Sequence, residues 1–184
     1  MQPSAPLSLS TPRLDIRPLS IQDLEGFVAY RQDPEIARYQ GWEPSFSMKD
    51  GRALILSQPS GALPPPGAWL QLAVHQKNGA LVGDVAVHAL EDEPDSYEIG
   101  VTLARAAQGA GLASEALAAV VDQLVSTAGA RRVVAICDAR NEQVARLLER
   151  VGFRKESSEV DAEWFKGEWI TLDTYVLSSP GQRD

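Results

Sequence analysis

Between Leu103 and Leu117 the chain reads Leu-Ala-Arg-Ala-Ala-Gln-Gly-Ala-Gly-Leu-Ala-Ser-Glu-Ala-Leu, and no other stretch limits the fold as strongly. An apolar run from Tyr97 to Leu103 leads in, with the composition of a strand. Leu117, Val120, Val121 and Leu124 lead out at helical spacing. Between them stand small residues: Gly109, Ala110, Gly111, Ala113 and Ser114. Glycines reach backbone conformations closed to other residues and let a second molecule approach the main chain. The first N–H groups of a helix have no partner within it, and they carry the positive end of its dipole. A strand–small loop–helix unit of this kind fits an anion, phosphate above all, at the helix mouth. The same small residues would also serve a loop kept narrow only for helix–strand packing.

The flanks give the context. Residues 9–18 alternate apolar Leu14 and Ile16 with charged Arg13, Asp15 and Arg17, which is a half-buried strand stopped by Pro18. Ser20 with Asp23 and Ser47 with Asp50 are capping-box spacings that open helices, and Asp33-Pro34 opens a short one. The proline-rich segment 58–67 is a surface loop. Residues 69–75 and 81–89 are strands joined across Asn78-Gly79, a type I′ hairpin signal, and residues 96–103 complete an antiparallel meander. After the helix of the small-residue loop, Arg132 to Cys137 is apolar enough for a buried parallel strand. Asn141 caps a further helix with Val144, Leu147, Leu148 and Val151 on one face, and Gly152 ends it. Two strands close the chain, from Phe153 onward and over residues 168–177. The order βααα-βββ-α-β-α-ββ describes an α/β fold with a mixed sheet and helices on its faces. It forms one domain over residues 9–178, with 1–8 and 179–184 expected to be flexible.

Composition enters by exclusion. Seventeen Lys and Arg against 25 Asp and Glu leave a net charge of −8, the opposite of a phosphate-backbone surface, so nucleic acid is not expected as a partner. No apolar run approaches the roughly 18 residues that span a bilayer, and no secretory signal opens the chain. Together with the single cysteine, Cys137, this leads us to expect a cytoplasmic protein without a membrane partner. Cys137 with His75 and His88 has no metal-ligand spacing, and its apolar strand suits a small buried residue better than a nucleophile.

Two ligands compete for the loop. Gly109-Ala-Gly111-Leu-Ala-Ser114 approximates G-x-G-x-x-G, and Asp138 at the end of the next strand suits a ribose, as a dinucleotide fold requires. Against it, Ser114 stands where the third glycine belongs, and antiparallel strands precede the motif where βαβ units should repeat. The other ligand is the pyrophosphate of coenzyme A. Here Gln108-x-x-Gly111-x-Ala113 resembles the Q/R-x-x-G-x-G/A signature of the GCN5-related N-acetyltransferases (GNAT). Thr11-Pro-Arg-Leu-Asp-Ile-Arg-Pro-Leu resembles the opening strand of their RimJ/RimL-type subgroup. Tyr97-Glu-Ile-Gly-Val, Gly111-Leu-Ala-Ser-Glu-Ala-Leu and Asn141 with the stretch to Gly152-Phe153 follow in that subgroup's order, so that the likeness spans residues 9–177.

The resemblance implies a mostly antiparallel central sheet whose fourth and fifth strands, here Ser96 to Leu103 and Arg132 to Cys137, splay apart. It implies acetyl transfer from acetyl-CoA to a primary amine, a protein N-terminus or a small molecule, through a ternary complex without a covalent enzyme intermediate. Backbone N–H groups of Gly109, Ala110, Gly111, Leu112, Ala113 and Ser114, with Gln108 at the entrance, would hold the pyrophosphate. The strand edge from Ile99 through Val101 would pair with the pantetheine arm, and Asn141 would meet it, a role that its capping role does not exclude. Glu98 stands where the family commonly carries a glutamate base, although alternation also suits a solvent-facing residue. The N–H of Val101 would stabilise the charge that develops on the thioester oxygen. A tyrosine acid frequent seven residues beyond the asparagine is replaced by Leu148, and a frequent serine by Val144. In the acceptor region fall Tyr39, Trp42, Glu43 and Trp164, aromatics among acids suited to a cationic amine or to an ordinary core edge. A longer acyl donor such as succinyl-CoA, a non-catalytic CoA-binding module and a homodimeric assembly are the further readings carried forward.

Overall fold

The computed structural model describes residues 6–178. Its frame is an eight-stranded sheet: β1 (Leu9–Ser10), β2 (Leu14–Pro18), β3 (Trp69–Gln76), β4 (Leu81–Ala89), β5 (Ser96–Leu103), β6 (Arg132–Asp138), β7 (Arg154–Phe165) and β8 (Glu168–Ser178). In space the order is β1-β2-β3-β4-β5-β6-β8-β7, and every pairing is antiparallel except β5 with β6. The mixed, mostly antiparallel sheet of the sequence reading is therefore present.

Alternation along the strands divides two cores between the two faces. One face presents Leu70, Leu72 and Val74 of β3, Val85 and Val87 of β4, Ile99 of β5, and Val133 and Ala135 of β6. Helices α4 (Leu112–Ser126) and α5 (Glu142–Val151) cover it, with Leu117, Val120 and Leu124 of α4 fully buried. Each such side chain removed from water contributes roughly 1.5–3 kcal/mol before entropy is counted. The opposite face, called the front here, carries Ala73 and Asp84 and is covered in part by α1 (Leu24–Arg31) and α3 (Met48–Leu56) through Leu24, Phe27, Val28, Tyr30 and Ile55. A short helix α2 (Pro34–Ala37), capped by Asp33, follows α1.

Several local details differ from the sequence reading. The opening strand is two strands: Leu9 pairs with Ile16 across the turn at Thr11-Pro12-Arg13, where Pro12 cannot continue a ladder and the Thr11 hydroxyl accepts from the Leu14 N–H. The Ser20–Asp23 box caps a single 3-10 turn (Ile21–Asp23) that runs into α1. The β3–β4 hairpin closes without a type I′ turn, because that turn needs positive φ at both central residues and only Gly79 has it. Instead Gly79 N–H bonds Gln76 C=O and Gln76 N–H bonds Ala80 C=O, a three-residue loop ended by a left-handed glycine. Of the terminal segments expected to be flexible, residues 1–5 and 179–184 lie outside the described residues. Leu7 is an exception to that expectation: it is 4% exposed and packs in the larger core.

Candidate active site

The parallel ladder between β5 and β6 is short. Ser96 pairs with Arg132, Tyr97 with Val133 and Glu98 with Val134, and there it ends. From Ala135 onward β6 pairs only with β8, whereas β5 continues to Leu103 against β4 alone. The two strands thus diverge just past Glu98, and one edge of β5 over residues 99–103 is left without a ladder partner. An unpaired strand edge can accept an extended amide-bearing chain as an additional strand.

The opening leads to the small-residue loop. Gly109 and Gly111 have φ of +81° and +77°, a region that an L side chain enters at a cost of about 1–2 kcal/mol. Gly111 is the N-cap of α4 and supplies no capping side chain. The first intrahelical bond runs from the Glu115 N–H to the Gly111 carbonyl, and among the described residues no group accepts from the N–H of Leu112, Ala113 or Ser114. Those donors are what a bound anion would satisfy. The Gln108 amide donates to the Leu103 carbonyl (3.1 Å), tying the loop to the end of β5.

Around this mouth lies a cleft of about 850 Å³. Val101, Thr102 and Leu103 of β5, Gln108, Gly109, Gly111, Leu112, Ala113 and Ser114 of the mouth, Asn141 and Val144 at the start of α5, and Tyr39 with its neighbours line it. Asn141 is the N-cap of α5, its carbonyl oxygen accepting from the Val144 N–H at 3.3 Å, so its amide N–H2 remains available to the cleft. Arg38, Arg105, Arg140, Arg146 and Arg150 line the same cleft. Arg105, Arg140 and Arg146 are ion-paired with Asp33, Asp138 and Glu142, and Glu35 and Glu142 share the lining, so among the described residues Arg38 and Arg150 are the cleft cations without a carboxylate partner. Arg150 donates to the Ser114 hydroxyl (3.2 Å) and Arg105 forms a two-bond pair with Asp33 (2.8 and 3.0 Å).

Other expected residues lie outside the cleft lining. Ile99 is buried in the core on the helix α4 face, as its alternation from Glu98 requires. The carbonyl of Ala110 is turned toward Arg13, whose guanidinium donates to it at 2.7 Å. Glu98 sits on the front face at the last rung of the parallel ladder, half-buried, with His88 Nδ1 3.5 Å from its carboxylate. Trp42 has its ring against the Arg31 guanidinium (3.8 Å) and donates its indole N–H to the Arg31 carbonyl. That ring face is already occupied by a cation. Glu43 is exposed beside Lys166, whose ammonium holds the carbonyls of Ala37 and Trp42 at 2.7 Å each. Trp164, 59% exposed, meets Trp169 edge to face on the β7–β8 hairpin. Asp138, the ribose candidate of a dinucleotide fold, is buried and bonded by the backbone and guanidinium of Arg140. Those bonds, Arg140's first, hold its carboxyl below the usual range. It therefore offers no free acceptor to a ribose.

Thr11, Arg13 and Glu115 form a brace that the sequence reading did not assign. Glu115, in the first turn of α4, accepts from the Thr11 hydroxyl (2.6 Å), the Arg13 N–H (3.0 Å) and the Arg13 guanidinium (2.6 Å). The cleft arginines Arg146 and Arg150 were not assigned either, although their i, i+4 spacing puts them on one face of α5.

A family model described as an acetyltransferase (GNAT) domain matches residues 13–154. The chain belongs to the GNAT acetyltransferase family. As a GNAT N-acetyltransferase it has curated relatives in Bacillus. It is 31% identical over 149 residues to the uncharacterized N-acetyltransferase YoaA of Bacillus subtilis, covering 80% of this chain and 83% of that one. To the uncharacterized N-acetyltransferase p20 of Bacillus licheniformis it is 27% identical over 171 residues, 93% and 94% of the two chains. Among solved structures, Mycobacterium smegmatis RimJ in complex with CoA-disulfide superposes with a TM-score of 0.81 at 18% identity, over 99% of this chain and 93% of that one. The spermidine N-acetyltransferase of Vibrio cholerae in complex with CoA and spermine does so at 0.78 and 19%, over 92% and 97%. The GNAT fold is thus shared with enzymes solved with CoA. Among the described residues no helix is long and apolar enough to cross a membrane, and no cluster of His, Cys, Asp and Glu could hold a metal.

Proposed function

We propose that this GNAT enzyme moves the acetyl group of acetyl-CoA to a primary amine by direct attack within a ternary complex. The observation that carries the reading is the divergence of β5 and β6 past Glu98–Val134, opening onto unpartnered N–H groups at the start of α4. The pyrophosphate is held by the backbone from Gly109 to Ser114, beside the Arg150 guanidinium that reaches the Ser114 hydroxyl. The pantetheine arm lies along residues 99–103 and meets Asn141. Acetyl-CoA supplies the thioester; the chain supplies orientation, a base and a donor.

An alkylammonium has a pKa of about 10, so near neutral pH its nitrogen lone pair carries a proton that must leave. Glu98, at the point where the slot begins, takes that proton. The free amine adds to the thioester carbonyl, forming the C–N bond; as the adduct collapses the C–S bond breaks, and the nitrogen's second proton passes to the departing CoA thiolate. A strand N–H, assigned to Val101, stabilises the charge developing on the carbonyl oxygen. Coenzyme A departs as a thiolate of pKa about 8.5, which needs less acid assistance than an alkoxide; this suits Leu148, which is 2% exposed and has no proton to give. We place the entry of the amine past Tyr39, which of the four acceptor-region residues is the one that lines the cleft.

The test combines binding with turnover. Acetyl-CoA is expected to raise the melting temperature, and a panel of N-terminal peptides, polyamines and aminoglycosides to include an acceptor that releases free thiol. No thermal shift would remove the CoA reading altogether. A shift without thiol release from any amine, and with Glu98→Gln indistinguishable from wild type, would instead indicate a non-catalytic CoA-binding module.

A further inference from the structure

A carboxylate that collects a proton from a substrate must be held in one place, and Glu98 has few partners to hold it. It lies on the front face, half-buried, with its side chain 24% exposed. Among the described residues no Lys or Arg comes within ion-pair distance of it; the one basic group that does is His88. His88 stands directly opposite Glu98 in the β4–β5 ladder, with Nδ1 3.5 Å from Oε2. This Nδ1 is buried and makes no aligned hydrogen bond to any group. The imidazole is itself fixed, because Trp69, its neighbour across β3 and β4, lies flat on the ring at 4.5 Å and 6° between planes. The row Trp69–His88–Glu98 therefore runs across three strands and stops where the slot between β5 and β6 opens.

The adjacent row explains why this is a place where a substrate can arrive. Ala86 of β4 and Gly100 of β5 face each other next to His88 and Glu98, and both are partly exposed. A floor of this kind carries nothing to obstruct the front side of the carboxylate. As an ordinary cross-strand pair, His88 and Glu98 would contribute roughly 0.2–1 kcal/mol to the sheet. Such a contribution would not account for a buried nitrogen 3.5 Å from a carboxylate with a tryptophan stacked on its ring.

Resting on the reading of Glu98 as the base, we infer that His88 is its positioning residue. Nδ1–H donates to one carboxylate oxygen of Glu98, leaving the other to accept the proton of the incoming ammonium. The 3.5 Å separation shortens as the ternary complex forms, as catalytic hydrogen bonds commonly do. Trp69 supports this geometry by fixing the plane of the imidazole.

Four variants test it, with kcat and both KM values measured by thiol release on the best acceptor of the panel. His88→Phe keeps a ring on Trp69 and removes the nitrogen; kcat is expected to fall about 10- to 100-fold, the scale of a misplaced group, with the acetyl-CoA KM and the melting temperature unchanged. His88→Asn places an amide near the Nδ1 position and is expected to restore most of the loss. His88→Gln places its amide near Nε2 and is expected to restore little. In a Glu98→Gln background, His88→Phe is expected to add nothing, because the two residues act as one unit. Full kcat in His88→Phe, equal kcat in Asn and Gln, or additive losses in the double variant would each overturn the positioning role while leaving the acetyl transfer intact. Should Glu98→Gln retain full activity, the base assignment itself fails, and the double variant separates that result from failure of the His88 role.

Discussion

Arg13 and Glu115 are 102 residues apart in the chain, yet the Arg13 Nε lies 2.6 Å from a Glu115 carboxylate oxygen. A second nitrogen of the same guanidinium donates to the Ala110 carbonyl, so that one side chain grips both the small-residue loop and the first turn of α4 behind it. The glycines permit the loop's conformation, and this brace from the β1–β2 turn selects it.

Removing the brace should therefore act on cofactor binding more than on stability. The pair is partly exposed, 49% for the Arg13 side chain and 17% for that of Glu115, and such pairs contribute about 0–1 kcal/mol to folding. Arg13→Ala is expected to shift the melting temperature little and to weaken acetyl-CoA about 10-fold, corresponding to about 1.4 kcal/mol. Isothermal titration of the folded variant checks it, and unchanged affinity would assign the brace to folding alone.

Gly111 makes the complementary case. An added Cβ would meet only the Arg13 guanidinium, at an ordinary 3.5 Å, so space does not forbid alanine there. Conformation does: φ is +77°, and a side chain costs about 1–2 kcal/mol in that region. Gly111→Ala is expected to lower stability by that amount in urea denaturation. If the helix start relaxes to relieve the strain, the aligned N–H groups are lost and acetyl-CoA affinity falls as well.

What could be read from the sequence was what is local in it. Ser47 with Asp50, Asp33 before Pro34, and Asn141 before α5 are caps because the chemistry of each lies within three residues, and each caps its helix here. The small-residue mouth was legible for the same reason. Trp42 was not, because whether an indole faces substrate or an arginine depends on Arg31 of α1, which packs against it only once the chain has folded. The Thr11–Arg13–Glu115 brace was hidden by its separation along the chain. Glu98 is intermediate: its strand position is a local matter, and its basic neighbour among the described residues, His88, becomes visible only from the β4–β5 register.

Tyr30 carries a prediction about stability rather than catalysis. Its hydroxyl donates at 2.5 Å to Asp84, a carboxyl buried between α1 and β4, with the Arg31 guanidinium 3.7 Å away. Burial raises the Asp84 carboxyl above its ordinary value, and attraction to Arg31 and the Tyr30 bond only partly oppose it. Tyr30→Phe keeps the ring against Phe27 and leaves a buried carboxyl with one donor fewer, so a loss of about 1–3 kcal/mol is expected in urea denaturation. The acetyl-CoA affinity should be unaffected, since neither residue lines the cleft.

Cys137 is expected to be inert in the native protein. Burial, then the nearby Asp173 and Asp138 carboxylates, push its thiol up to about 11. The thiolate is the reactive form, so iodoacetamide should modify the folded chain far more slowly near neutral pH than the urea-unfolded one. Equal rates would contradict the raised thiol of this partly buried cysteine.

Acid stability should depend on Asp23. Its side chain is 3% exposed, and burial by itself would raise the carboxyl. The Arg17 guanidinium at 2.8 and 2.9 Å and the Ser20 N–H and hydroxyl at 2.8 and 3.0 Å outweigh burial and bring it below 3.8. The sign of the linkage follows. As pH falls, the unfolded chain protonates this aspartate first, at its ordinary value, while the folded chain still holds it charged. The unfolded state then binds more protons, and stability declines. The contribution is fully present above the ordinary value and is lost as pH falls through the lower folded one. In urea denaturation at a series of pH values, Asp23→Asn should be less stable than wild type by about 1–3 kcal/mol near neutrality, from the weakened bonds to Arg17, Ser20 and His75, whose Nε2 lies 2.9 Å from Oδ1. Below the ordinary carboxylate value the two curves should converge, because wild type loses there what the variant never had. Parallel curves throughout would place the acid sensitivity on other carboxylates.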